Sequence, residues 1–426
     1  MFGRGEKHTR DNRAGLPRPV ERVEVSESHV WLRWILFLLA ALIGVTGIVY
    51  GIQSLVSGES GWREISVKEG DDSFAGAGFL FRYPLLGEKE TPAAEYKRVS
   101  LCYTEAAILS QRLFDETNCY DGVLNLALVN QHPGQPIEVD PILYRALALI
   151  CRRMQSEGER WLYQGFLYDA YRPVFGSTTD EEARLADPMT NPDAIRDRET
   201  LAAFAGDESA VSLTLLGNNT VSLHVSDAYR TYAEENGLSA YLDFHYLKNA
   251  FRIDVMADIL TEAGFTGGIL SSYDGYTRVL KADDTVYDTV LTALRGNTVY
   301  EAARIAYRGV CSLVSLHTMP LCEEDTLRTY VYADGTIRHG YLGKDGTCLA
   351  SVPHLIARSE EEGCAELLLS LLPCFLRETL SVKAMPLEKA SCAYYDPKAE
   401  TIVYTDPAFL PIPLSDFPVL RQEMKP

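Results

Sequence analysis

The chain is 426 residues long, carries a formal charge of −19 and is 46% hydrophobic. That hydrophobic share supports a full globular core and excludes a mainly disordered chain. The acidity excludes a general grip on nucleic acid, which needs clustered lysine and arginine. Nine cysteines are scattered without a C-x-x-C pair or a histidine at ligand spacing, so no zinc site is expected. Disulfides stay open, although the odd count leaves at least one thiol over.

Residues 1–33 form a tail with seven basic residues against five acidic ones, and Trp34 to Ile52 holds 19 residues without a charge. As a helix that run is about 28 Å long, close to the hydrocarbon thickness of a bilayer. Trp31, Trp34 and Tyr50 bracket it, as expected of rings at the headgroup level. A cleaved signal peptide would have a shorter start and a shorter apolar core, so residues 34–53 are read as an uncleaved signal anchor. The basic tail then lies in the cytoplasm. The expected product is a single-pass protein of the cell membrane with its acidic bulk outside.

Residues 54–78 are rich in serine and glycine and read as a linker, and a globular domain is expected over 79–426. Short apolar stretches at Phe79 to Tyr83 and Val99 to Tyr103 alternate with a helix expected to start at a Thr104 cap. A second helix has Asp140 as its cap, Pro141 at its first position, an apolar face of Leu143, Leu147, Ile150 and Met154, and Gly158 at its end. Ser177 to Asp197 is polar and acidic and reads mainly as an inserted loop. Val211 to Leu216 and Val221 to Val225 flank Gly217-Asn218-Asn219-Thr220, a hairpin signal. A third helix is expected from about Phe251 to Ala263, and a fourth from a capping box of Ser359 and Glu362 to Pro373. The fold class is α+β, with mixed sheets packed against helices.

Four segments, in order, resemble the FAD:protein FMN transferase (ApbE-like) family. In Ala127 to Val174, Asn130, Gly134, Val139, Pro141, Gly165 and Pro173 match the family's early pattern, with Tyr168 where the family has Asp. "LDFHYLKNAFRID" (Leu242 to Asp254) is similar to "L-D-L-G-G-I-A-K-G-Y-A-V-D", with His245-Tyr246 in place of a glycine pair and Asn249 in place of lysine. The "N-x-G-G-D" that follows is replaced by Ser271-Ser272-Tyr273-Asp274-Gly275. "DGTIRHGYLGKDG" (Asp334 to Gly346) keeps one histidine, His339, and "AELLLSLL" (Ala365 to Leu372) resembles "A-D-A-L-A-T-A-L".

The resemblance implies an ApbE-like domain that holds FAD and magnesium and passes FMN to a Thr or Ser hydroxyl of an acceptor protein outside the cytoplasm. It implies that Glu366 and Ser370, four apart on one helix, supply oxygens to the metal and that His339 carries a proton. Asp243, Asn249, Asp254 and Ser271 fall at cofactor-binding positions, and the two aspartates are equally suited to be structural caps. Glycine pairs let backbone N–H groups approach a phosphate, and a lysine neutralises it. Both are replaced here, so the expectation is a degenerate flavin and magnesium site, catalytically weakened, that binds a partner or ligand or holds no cofactor. The alternative is an active, divergent magnesium-dependent transferase serving a membrane redox protein.

Overall fold

The computed structural model describes residues 58–68, 73–281, 284–386 and 388–422, together with Leu39. The expected tail and membrane span therefore lie, Leu39 aside, outside the described residues. No described helix is long and apolar enough to cross a membrane. Residues Glu59–Pro426 make one compact unit.

That unit is built on a nine-stranded sheet in the order Gly61–Ile65, Phe79–Leu85, Ile269–Ser272, Tyr276–Val279, Cys311–His317, His354–Ser359, Ser391–Asp396, Thr401–Tyr404 and Val419–Arg421. Neighbours pair antiparallel except the last two, which are parallel. Side chains alternate between faces along a strand, and here both faces are covered. Val314, Leu316, Leu355, Ala357, Cys392 and Tyr394 pack into the main core. Their sequence neighbours Leu313, Ile356, Ala393 and Tyr395 pack into a second core beneath the Val286–Arg295 and Thr298–Arg308 hairpin. This explains strands that read as nearly continuous apolar runs.

The helix Pro141–Glu157 forms as its sequence requires, with the Ile142 N–H donating to Asp140 Oδ1 over 2.7 Å and Gly158 closing it at φ 66°. The hairpin also forms, with Asn218 and Asn219 at φ 49° and 57°. Four expectations need correction. Gly61–Ile65, inside the stretch read as a linker, is a strand paired to Phe79–Leu85. Val99 to Tyr103, read as an apolar stretch ahead of the helix, belongs to the helix Pro92–Leu113, which begins at a Thr91 cap; Thr104 sits inside it and donates to the Ser100 carbonyl over 2.7 Å. The expected loop at 177–197 contains the helix Asp180–Ala186 and the start of the helix Pro192–Gly206, capped by Thr179 and Asn191. The fourth helix runs Cys364–Phe375, because Ser359 ends a strand and a distant carboxylate caps the helix. All nine cysteines are free thiols.

Candidate functional site

The helix Cys364–Phe375 is buried on nearly every side and starts at Gly363, which has no side chain to cap it. Asp254, on the helix Lys248–Glu262, accepts the N–H groups of Cys364 at 2.9 Å and Ala365 at 2.8 Å. A Cβ on Gly363 would stand 2.6 Å from Asp254 Oδ2, so glycine is what lets the carboxylate reach the helix end. Arg278 pairs with the same carboxylate at 2.6 Å. Asp254 therefore acts as a helix cap supplied from another helix. Asp243 is likewise inward: it accepts the His245 N–H over 2.7 Å and is almost fully buried. The preceding backbone is held by Asn130, which exchanges two 2.9 Å hydrogen bonds with Leu242.

A cavity of about 510 Å³ is lined by Gly78, Tyr168, His245, Tyr246, Asn249, Tyr273, Asp274, His317, Glu324, Asp325, Arg328, His339 and Tyr341 among others. Its size falls in the ordinary range for a small-molecule site. Of the residues the sequence singled out, Asn249 and His339 line this cavity. Asp243, Asp254 and Ser271 are not among its lining residues, and Ser271 accepts a hydrogen bond from Thr277 within the sheet. Glu366 and Ser370 lie elsewhere: Ser370 Oγ donates to the Glu366 carbonyl over 2.9 Å and accepts from Arg153 over 3.0 Å.

His245 takes φ 32°, in the left-handed region that glycine adopts freely. It thus takes a backbone conformation that favours glycine while placing a ring in the cavity wall. That ring donates from Nε2 to the Trp161 carbonyl at 2.8 Å, stacks on Tyr168 at 5.9 Å and touches Tyr246 at 4.3 Å. Burial holds it below the usual histidine range. Asp274 is placed by a tight turn whose Gly275, at φ 104°, approaches the Ser315 carbonyl so closely that a Cβ would meet it at 2.2 Å. Asp274 Oδ2 accepts from Asn249 Nδ2 at 2.9 Å.

Arg328 is the one arginine or lysine among the described residues lining the cavity. Burial pushes it down, but Tyr341, Asp274 and Asp325 outweigh burial and hold it above the usual arginine range. It donates to Asp325 Oδ1 from Nε at 3.0 Å and from Nη2 at 2.5 Å, and Nη1 reaches the Asp274 carbonyl at 3.3 Å. Despite burial, hydrogen bonding to His317 and then the charge of Arg328 keep Asp325 well below the usual carboxylate range. Burial, then Arg338, lowers His339 to about 4, so it is neutral at pH 7. Buried Tyr168 and Tyr341 are each pushed up to about 12. Sequence reasoning did not single out His317, Asp325 and Arg328, whose 3–8 residue spacing carries no local motif.

These residues do not fit a pyrophosphate with its magnesium. The cavity's one guanidinium is already engaged, and Asp274 and Glu324 add like charge to an anion. Near Glu366 the position a hard cation would take is next to Arg153. Among the described residues no group of three or more His, Cys, Asp or Glu is placed to hold a metal ion.

No family model matches the chain, and no curated protein matches it. Solved structures do. The chain is similar to the ApbE protein of Thermotoga maritima, with a TM-score of 0.54 and 14% identity, over 81% of this chain and 96% of that one. It is similar to the flavin transferase ApbE of Vibrio cholerae, with a TM-score of 0.53 and 13% identity, over 83% of this chain and all of that one. The chain is thus a divergent protein with the fold of the ApbE flavin transferases.

Proposed function

We propose that this protein is anchored in the cell membrane by residues 34–53, with an ApbE-like domain outside the cytoplasm that binds a ligand or partner and transfers FMN weakly or not at all. One observation carries the reading. Three of the four segments that resemble the family pattern, with the turn at Asp274, meet in a single cavity through Tyr168, His245, Asn249, Asp274 and His339, yet the groups that would serve the phosphates are replaced. Transfer of FMN from FAD forms a bond between an acceptor hydroxyl oxygen and the FMN phosphorus, breaks the pyrophosphate bond and releases AMP, with the hydroxyl proton leaving. Positive charge on the phosphates lowers that barrier, and this cavity offers an engaged arginine beside carboxylates.

The second reading, an active magnesium-dependent FAD:protein FMN transferase acting on a membrane redox protein, is favoured by likeness of fold alone, and fold does not fix activity. Incubating the full-length protein with FAD, magnesium and a Thr-containing acceptor separates the two: no covalent flavin fluorescence is expected on the acceptor, and robust magnesium-dependent labelling restores the transferase. For topology, a reporter fused after Pro426 is expected to work only in the exported compartment; activity of a cytoplasmic reporter there overturns the orientation.

A further inference from the structure

We propose that the globular unit docks its first sheet edge onto the phospholipid headgroups of the bilayer that anchors the chain, with Trp62 as the interfacial ring; this rests on the reading that residues 34–53 span the membrane. Gly61, which opens the edge strand Gly61–Ile65, comes eight residues after the end of that span. Eight residues reach about 26 to 29 Å when fully extended, and about 14 to 17 Å on average as a coil. The headgroup layer itself takes up about 5 to 8 Å of that distance. The edge strand is therefore tethered within reach of the headgroups, whatever path the tether takes.

The side chains at that edge suit such a boundary. Trp62 pairs with Pro84 across the strands and is partly exposed, with the exposed Arg82 guanidinium 5.9 Å and the Lys281 ammonium 5.3 Å from its ring centre. Indole rings settle at the headgroup level, and basic side chains beside them meet the lipid phosphates. Pro84 and Lys281 continue into a groove of about 870 Å³, which Leu86 and Val310 also line while 54% and 45% exposed. Apolar tips next to long basic side chains can enter the interface together, the tips toward the acyl chains and the charges at the phosphates. Among the described residues the groove's lining balances four basic side chains against four acidic ones, in a chain that carries −19 overall. Two of those carboxylates are engaged, Glu90 by Arg98 at 3.3 Å and Glu95 by the Leu86 and Gly87 N–H groups at 3.0 Å. This edge thus lacks the acidic excess that the chain as a whole would present to phosphates.

Full-length protein in nanodiscs of phosphatidylethanolamine and phosphatidylglycerol tests this through lysine acetylation by a water-soluble reagent, read residue by residue by mass spectrometry. Exposed Lys398, in the turn between Ser391–Asp396 and Thr401–Tyr404 near the other end of the sheet order, is the internal reference. Relative to it, Lys89 and Lys281 are expected to react several-fold more slowly in nanodiscs than in detergent. The double variant Trp62→Ser, Arg82→Glu is expected to restore the detergent rate. Independently, the emission that Trp62→Phe removes is expected to be quenched by lipids brominated high on the acyl chain. Equal relative rates in nanodiscs and detergent, with that emission unquenched, overturn the inference and leave the anchor in place if the chain stays in cell membranes through an alkaline carbonate wash. Release of the chain by that wash overturns the anchor reading and the inference together. Slow reaction that persists in the double variant places the contact elsewhere and overturns the inference.

Discussion

Arg153 donates from its guanidinium to Ser370 Oγ over 3.0 Å, across 217 residues of sequence, and stands 3.7 Å from the Glu366 carboxylate. A fixed cation thus sits beside the two oxygens that the family pattern offers to magnesium. A divalent cation about 4 Å away would be repelled by roughly 2 to 8 kcal/mol, depending on solvent exposure. Magnesium is therefore expected to leave the thermal midpoint of the protein unchanged, in the original chain and in Glu366→Gln alike. A ligand of the folded state raises that midpoint by mass action, so a magnesium-dependent rise that Glu366→Gln abolishes contradicts this and returns the metal to the site.

Asp254 holds a helix end and a guanidinium at once. Asp254→Asn keeps the shape and one accepting oxygen but leaves Arg278 unpaired at about one-fifth exposure. A lost cap interaction and an orphaned, mostly buried charge together cost about 2 to 4 kcal/mol. Urea unfolding gives the number, with the affinity for the cavity ligand expected to stay the same. A loss of affinity at unchanged stability would make Asp254 a binding residue instead.

His339 makes the protein sensitive to mild acid. Its pKa falls from 6.5 to about 4 on folding, chiefly through burial, so between those values the unfolded chain binds the extra proton and the folded one does not. The sign follows: the contribution to stability is present above pH 6.5 and is lost as pH falls toward 4, by on the order of 3 kcal/mol. Stability measured from pH 7 to pH 4 is expected to fall less steeply in His339→Gln. Parallel curves for the two proteins would show that His339 titrates alike in both states.

His245→Gly separates strain from use. Glycine relieves the cost of φ 32° at a side-chain-bearing residue, about 1 kcal/mol or more, while the variant loses a ring stack and a hydrogen bond of comparable total worth. Stability is expected to change by less than about 1 kcal/mol, and the affinity for the cavity ligand to drop. A large destabilisation with unchanged affinity would make the ring a packing element.

The helix Pro141–Glu157 was legible because its signals are local: the cap, the proline and the terminal glycine lie within its own span. The same holds for the Asn218-Asn219 turn. Val99 to Tyr103 misled because its apolar and aromatic residues suit a strand as well as a buried helix face, and only packing decides between them. The helices after Thr179 and Asn191 carried their caps in plain sight, but their acidic, proline-bearing composition resembles a loop. The start of Cys364–Phe375 could not be read locally, since Asp254 lies 110 residues away. The cavity was half legible. Family-like spacing led to Asn249 and His339, whereas His317, Asp325 and Arg328 are assembled by the sheet and by contacts that no local pattern records.

The most direct test of the account is the rate of covalent flavin transfer by the full-length protein, followed over time on a Thr-containing acceptor with FAD and magnesium in excess. A cavity whose lone guanidinium is bound to Asp325, and whose wall adds Asp274 and Glu324, is expected to give no labelling above the rate seen without protein. Rapid labelling that stops when magnesium is withdrawn would contradict it and make this divergent chain a working transferase.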